Sequence, residues 1–278
     1  MKYINSILEK KEKNEKITML TAYDYPTAKI LDEAEIDIIL VGDSYGMVKL
    51  GYESTLPVTM NEMLIAAKAV SRAIKNSILI VDMPFLSYQT SNSDAIKNAG
   101  IILKESKAQG VKIENNPSLI KVLTDADIPV MGHIGLTPQS IYKLGGYKIQ
   151  GKTSEDGEKI LKLAIEIEKA GAFSIVLEGI TSEVAKLITQ KLKIPTIGIG
   201  AGPYCDGQVL VIDDLLGLNP DFIPRHTKVY ANLYSIIKKS VLKYKEDVTK
   251  NKFPEKANYI NMEENEAKKL LIEVEFDE

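Results

Sequence analysis

Short apolar runs in this chain end repeatedly in a side chain that can ionise. Asp43 follows "IDIILVG", Asp82 ends "SILIVD", Glu114 ends "VKIE", His133 ends "IPVMGH" and Glu178 ends "FSIVLE". If those runs are parallel strands closed into a barrel, their C-terminal ends share one face and these groups converge. Four carboxylates on one rim repel one another unless a cation or a shared proton compensates. Asp43, Asp82 and Glu114 offer hard oxygen donors, the chemistry of Mg2+ or a similar octahedral ion that keeps positions open for water and substrate. Neither His133 nor His226 forms a metal-type doublet with another histidine or with Cys205, which argues against zinc. Any one of these acids taken alone is better explained as a helix cap or a solvated loop residue. Only their repetition at successive run ends points to a metal site.

Lys112 and Glu114 stand two apart in "VKIENN", so on a strand they share one face and point into the same mouth. There a lysine neutralises an anionic substrate, although a structural Lys and Glu pair explains the spacing equally well. Glu178 closes an apolar run, and a carboxylate against an apolar wall gains proton affinity, as a general base requires. A cap for a helix beginning near Thr181 is the competing explanation. "GIGAGPYCDGQ" lacks the spacing of a phosphate loop, so tight turn and ligand approach carry equal weight. "GLTPQSIYKLGGYKIQGK" is long and glycine-rich, and reads as an active-site loop or lid.

The elements that must position these groups follow from period. Runs at 17–22, 36–42, 77–82, 111–114, 128–133, 173–178, 194–200 and, most weakly, "DFIP" at 221–224 read as strands. Helical segments alternate with them. "SNSDAIKNAGIILKESKAQG" opens on Ser and Asn and places Gly110 to end it, and "TSEDGEKILKLAIEIEKAG" has Thr153 or Ser154 as cap and Gly171 as stop. Even spacing, without a glycine fingerprint after the first strand, favours a (β/α)8 TIM barrel over an open sheet. An extra helix precedes it, and a Lys- and Glu-rich helical appendage follows from about residue 241. Residues 1–278 thus read as one domain, with the barrel over about 17–240.

Composition excludes several classes. With 45 % apolar and 26 % charged residues in 278, the chain can bury a full core. Net charge is −3 and the cations are scattered, so no nucleic-acid footprint is present. Arg72 and Arg225 are the only arginines, leaving little capacity for bidentate clamps on an anion. A single cysteine, Cys205, and no apolar run of membrane or signal-peptide length indicate a soluble cytoplasmic protein.

The stretches "TAYDYPTAKI", "ILVGDSYGM", "STLPVTMNEM", "VDMPF", "GVKIE", "GHIGLTPQS", "GGYKIQGK", "IPTIGIGAG" and "CDGQVLVIDDLLGL" run in order from about residue 17 to 230. Together they resemble the ketopantoate hydroxymethyltransferase family. The resemblance implies that Asp43, Asp82 and Glu114 hold Mg2+. It implies that Asp43, Ser44, Asp82 and Lys112 contact the keto acid, and that Glu178 is the proton acceptor. It further implies 5,10-methylenetetrahydrofolate as co-substrate, a Mg2+-stabilised enolate of 3-methyl-2-oxobutanoate, and a homo-oligomer, commonly a decamer. The product would be 2-dehydropantoate, the first committed step toward pantothenate and coenzyme A. Asn115 and Asn116 stand where the family typically has two glycines, and Asp213 where it commonly has a histidine. Tyr23, Tyr45, Tyr147 and Tyr204 receive no folate role.

Two rivals stand beside this reading. One is a metal-dependent lyase or mutase of the phosphoenolpyruvate mutase and isocitrate lyase type. The other is a catalytically silent barrel that serves as a binding protein.

Overall fold

Side chains along each strand alternate between two separate apolar layers, and this alternation places the polar groups. The computed structural model describes residues 3–146 and 148–275, so Tyr147 of the glycine-rich loop lies outside the described residues. Its strands are β1 (Ile17–Thr21), β2 (Ile38–Val41), β3 (Ile78–Asp82), β4 (Gly110–Glu114), β5 (Val130–Gly135), β6 (Ser174–Glu178), β7 (Thr196–Ile199) and β8 (Gly207–Leu210). Each pairs in parallel with the next and β8 returns to β1, closing a barrel in sequence order. Helices follow the strands around the outside, as a TIM barrel requires.

Ile17 and Met19 of β1, Ile78 and Ile80 of β3 and Met131 of β5 belong to the inner apolar layer. Their sequence neighbours Leu79, Val81 and Val130 pack outward against the helices in a second, larger layer. Parity then decides which residues reach the mouth. Asp82 continues the inward row of Ile78 and Ile80, His133 that of Met131, and Glu178 that of Val176.

The opposite end is closed by the N-terminal helix Asn5–Glu12. Ile7 is 1 % exposed and joins the inner layer. Lys10 Nζ donates to Asp37 Oδ2 at 2.6 Å and Lys11 Nζ to Asp206 Oδ2 at 2.8 Å. Those carboxylates also accept from the backbone N of Thr18 (3.0 Å) and of Thr196 (2.8 Å), fixing the starts of β1 and β7.

Two expectations need correction. The eighth strand is Gly207–Leu210, not 221–224. Phe222 and Ile223 are exposed in an irregular segment that ends in Pro224, whereas Gly207 fits between neighbouring strands because a Cβ there would lie 2.5 Å from the Ile17 carbonyl oxygen. Gly110 does not stop the preceding helix. That helix, Asn92–Ser106, ends on Lys107 in the left-handed conformation, and Gly110 opens β4. Asn115 and Asn116 both adopt positive φ, 51° and 57°, so asparagine keeps the glycine-like turn after β4.

By contact density the chain divides into two compact units, Met1–Ala231 and Asn232–Glu278. The second contains the helices Leu233–Thr249 and Glu264–Glu275, and the composition shift near residue 241 falls inside the first of these.

Asp32 clamps the approach to β3. Its carboxylate accepts from the backbone N of Ser77 (2.7 Å), Asn76 (2.9 Å) and Lys75 (3.0 Å). Burial opposes the charge, but these three donors outweigh it and hold the carboxyl below its ordinary pKa. A lowered folded pKa stabilises above the unfolded pKa and loses that stabilisation as pH falls through the folded value. Asp32→Ala should therefore cost about 2–3 kcal/mol in urea unfolding at pH 7, and the gap to the parent should shrink below about pH 4. A gap that is unchanged at pH 3 would contradict the clamp.

Candidate active site

At the C-terminal rim the structure brings together the residues expected there. Asp82 pairs in register with Lys112, and Glu114 with His133. Lys112 Nζ lies 2.8 Å from Asp82 Oδ1 and 3.4 Å from His133 Nδ1. The Asp43 backbone N donates to Asp82 Oδ2 at 3.1 Å. Asp43, Asp82, Lys112, Glu114 and His133 are all buried. Glu178, on the next strand and 19 % exposed in its side chain, places Oε2 3.2 Å from His133 Nε2, although the two are not aligned as a hydrogen bond. Ser44 Oγ shares a hydrogen bond with Tyr23 Oη at 2.8 Å, and the Tyr23 ring stacks on Tyr45 at 5.6 Å between centroids.

None of the carboxylates is a helix cap. The helix after Glu114 is capped by Asn116, whose side chain accepts from Leu119 N, and the one after Asp82 by Ser91. The helix after Glu178 starts beyond Thr181, and Asp43 precedes a short turn that has no side-chain cap at all. The helix-cap explanation does not hold for these acids, and Asp43, Asp82 and Glu114 are buried against one another, Lys112 and Gln139.

Burial, followed by Asp82, raises the Asp43 pKa against the pull of Lys112 and Gln139. Glu114 is raised well above its ordinary value by burial and by Asp43. Burial works against the Lys112 ammonium, but Asp82, Asp43 and Glu114 outweigh it and lift its pKa above that of an ordinary lysine. Burial and the neighbouring Lys112 lower His133, so it favours the neutral imidazole.

Counted fully ionised, Asp43, Asp82 and Glu114 against Lys112 carry a formal charge of −2 in a buried mouth, with Glu178 at its edge adding to it, and a divalent cation would offset most of that charge. The donor set therefore fits a hard ion such as Mg2+. As they stand, no three His, Cys, Asp or Glu side chains among the described residues are grouped to hold a metal. Each carboxylate already faces a donor: Lys112 on Asp82, the Gln139 carboxamide on Asp43 at 2.8 Å, and the Gln139 backbone N on Glu114 at 3.2 Å.

Gln139 is the site residue that sequence reasoning missed. It sits in the turn Pro138–Ser140 that opens the long segment after β5, so the expected loop does reach the mouth. Asp213 is buried and pairs with Lys49 at 2.6 Å, beside the helical turn that follows Ser44. Cys205 is buried and its thiol pKa is raised, chiefly by burial.

A parallel (β/α)8 barrel whose strand ends gather acids, one lysine and a histidine in a buried mouth has the layout of a barrel enzyme. The chain belongs to the ketopantoate hydroxymethyltransferase family, whose sequence profile it matches over residues 2–256. It is 50 % identical over 263 residues to the 3-methyl-2-oxobutanoate hydroxymethyltransferase of Clostridium beijerinckii, covering 94 % of this chain and 96 % of that one. The enzyme of the same name from Thermotoga maritima is 55 % identical over 250 residues, covering 89 % and 92 %. Among solved structures, 2,3-dimethylmalate lyase, of the PEP mutase and isocitrate lyase superfamily, overlays with TM-score 0.62 over 89 % of this chain and 86 % of that one at 16 % identity. Phosphoenolpyruvate phosphomutase from Streptomyces platensis subsp. rosaceus gives 0.60 over 90 % and 88 % at 14 %. At those identities the likeness shows the fold alone.

The charge balance makes a testable claim. Lys112→Met keeps most of the stem but leaves Asp82 buried without its cation, so unfolding in urea at pH 7 without divalent metal should lose about 3–5 kcal/mol. A loss below about 1 kcal/mol, the size of an exposed pair, would show that the carboxylates do not depend on Lys112.

Proposed function

We propose that this enzyme transfers a hydroxymethyl group from 5,10-methylenetetrahydrofolate to 3-methyl-2-oxobutanoate, giving 2-dehydropantoate at the entry to pantothenate and coenzyme A synthesis. The observation that carries the reading is 50 % identity over 94 % of the chain to an enzyme named for this reaction. The arrangement of the mouth agrees with it. A cytoplasmic setting and a homo-oligomer, commonly a decamer, belong to the same reading.

In this reading Asp43, Asp82 and Glu114 hold Mg2+. When bound, the ion draws electron density from the keto oxygen and so acidifies the neighbouring carbon. Lys112 and Ser44 supply an ammonium and a hydroxyl to the anionic end of the keto acid, in a mouth with no arginine on its strands. Asp43 and Asp82 border the same substrate. Glu178 takes the proton from C3, and C3 then bonds to the one-carbon methylene of the folate as one of its C–N bonds opens. Water breaks the remaining C–N bond, supplying the hydroxyl of 2-dehydropantoate and releasing tetrahydrofolate. His133 stands beside the Glu178 carboxylate, its Nε2 3.2 Å from Glu178 Oε2.

A lyase of the phosphoenolpyruvate mutase type shares the barrel, and at 14 % and 16 % identity that likeness speaks to the fold alone. Folate-dependent transfer without release of free formaldehyde separates the two, and a silent barrel would do neither.

Proton abstraction can be measured without folate. Glu178→Gln keeps size and leaves the proposed metal ligands untouched, yet an amide is a negligible base at neutral pH. Exchange of the C3 proton of 3-methyl-2-oxobutanoate with deuterated water, followed by NMR with Mg2+ present, should fall by about 10²–10⁴-fold. Exchange at the parent rate would remove Glu178 as the base.

A further inference from the structure

Gln139 touches more of the mouth than any assigned residue, yet nothing so far gives it a role. Its Nε2 donates to Asp43 Oδ2 at 2.8 Å and to the Met83 carbonyl at 2.9 Å. Its Oε1 accepts from Tyr88 Oη at 2.6 Å and, more distantly, from Gln89 Nε2 at 3.4 Å. Its backbone N faces both Glu114 oxygens, at 3.3 and 3.2 Å. Tyr88 Oη in turn accepts from Glu114 N at 3.4 Å. One buried residue, 7 % exposed, thus ties together chain that follows β2, β3 and β5 and the end of β4.

These bonds have a direction. With Oε1 held by the Tyr88 hydroxyl, Nε2 is turned toward Asp43, and its two hydrogens are taken by Asp43 and Met83. One Asp43 oxygen is thereby fixed while the other stays available. A carboxylate that must bind a cation gains affinity when an outer hydrogen bond fixes its rotamer, and losing such a partner typically costs 10–100-fold.

We propose that Gln139 is a positioning residue for the divalent cation: its carboxamide, oriented by Tyr88, fixes the Asp43 carboxylate, and its backbone N–H holds Glu114 on the same side. This rests on the metal reading given above. It makes the segment after β5 part of the cation site rather than only a cover over the substrate.

The test is Mn2+ affinity of the full-length protein without keto acid or folate, from the free-ion EPR signal and by calorimetry, with thermal midpoints as the check on folding. Gln139→Met preserves length and apolar bulk and removes every side-chain hydrogen bond. It should weaken Mn2+ binding by about 10–100-fold. Tyr88→Phe should weaken it less, because the carboxamide remains but is no longer oriented. Tyr88 meets Glu114 only at its backbone N, at 3.4 Å, and its 2.6 Å bond is to the Gln139 carboxamide, so the double variant should bind no more weakly than Gln139→Met alone. Parent-like affinity in a folded Gln139→Met protein would overturn the proposal, as would additive losses in the double variant. If Gln139→Met does not fold, parent-like affinity in Tyr88→Phe overturns it. Absence of Mn2+ binding by the parent would overturn the metal reading itself, an outcome distinct from a parent that binds and a variant that binds equally well.

Discussion

The Lys112 ammonium, 2.8 Å from Asp82 and buried among Asp43, Glu114 and His133, is the contact on which the barrel mouth depends. A buried cation is costly alone, and so is each buried acid; together they offset one another only at close range and in fixed geometry. The barrel supplies that geometry through register. Asp82 pairs with Lys112 and Glu114 with His133, so partners from adjacent strands are brought level by backbone hydrogen bonds rather than by loops. In the proposed reading a divalent cation offsets the remaining negative charge, and Lys112 meets the anionic end of the substrate.

The two ends of the barrel use charge differently. At the closed end Asp37 and Asp206 each combine a lysine of the N-terminal helix with a backbone N–H, and Asp32 gathers three backbone donors. Those carboxylates are well satisfied and hold strands in place. At the open end Asp43 and Glu114 are raised in pKa by burial and by like charge, so folding alone leaves them poorly compensated. Such separation of stabilising and reactive ends is the general habit of this fold.

Much of this was readable from residue types. Inward parity carries Ile78 and Ile80 to Asp82, so an apolar run ending in an acid already placed that acid in the mouth. The eighth strand was missed because "GQVL" is short, begins with glycine and lacks a β-branched run; its place is set by contact with β1 and β7, which no local pattern records. Gln139 was missed for a related reason. An amide in a turn after Pro138 has no period and no charge, and its importance arises from contact with three segments distant in sequence. The pair Asn115 and Asn116 was legible, since asparagine is the residue besides glycine that best accepts the left-handed backbone found there.

The central claim is that the acids of three neighbouring strand ends form one cation site beside the keto acid. Crystals grown with Mn2+ and 3-methyl-2-oxobutanoate, measured at the manganese absorption edge, test it most directly. The account predicts one strong anomalous peak at the rim, bonded to Asp43, Asp82 and Glu114, with the keto acid against it and within reach of Lys112 and Glu178. A peak held by other side chains, or a bound keto acid with no metal beside it, would contradict the account.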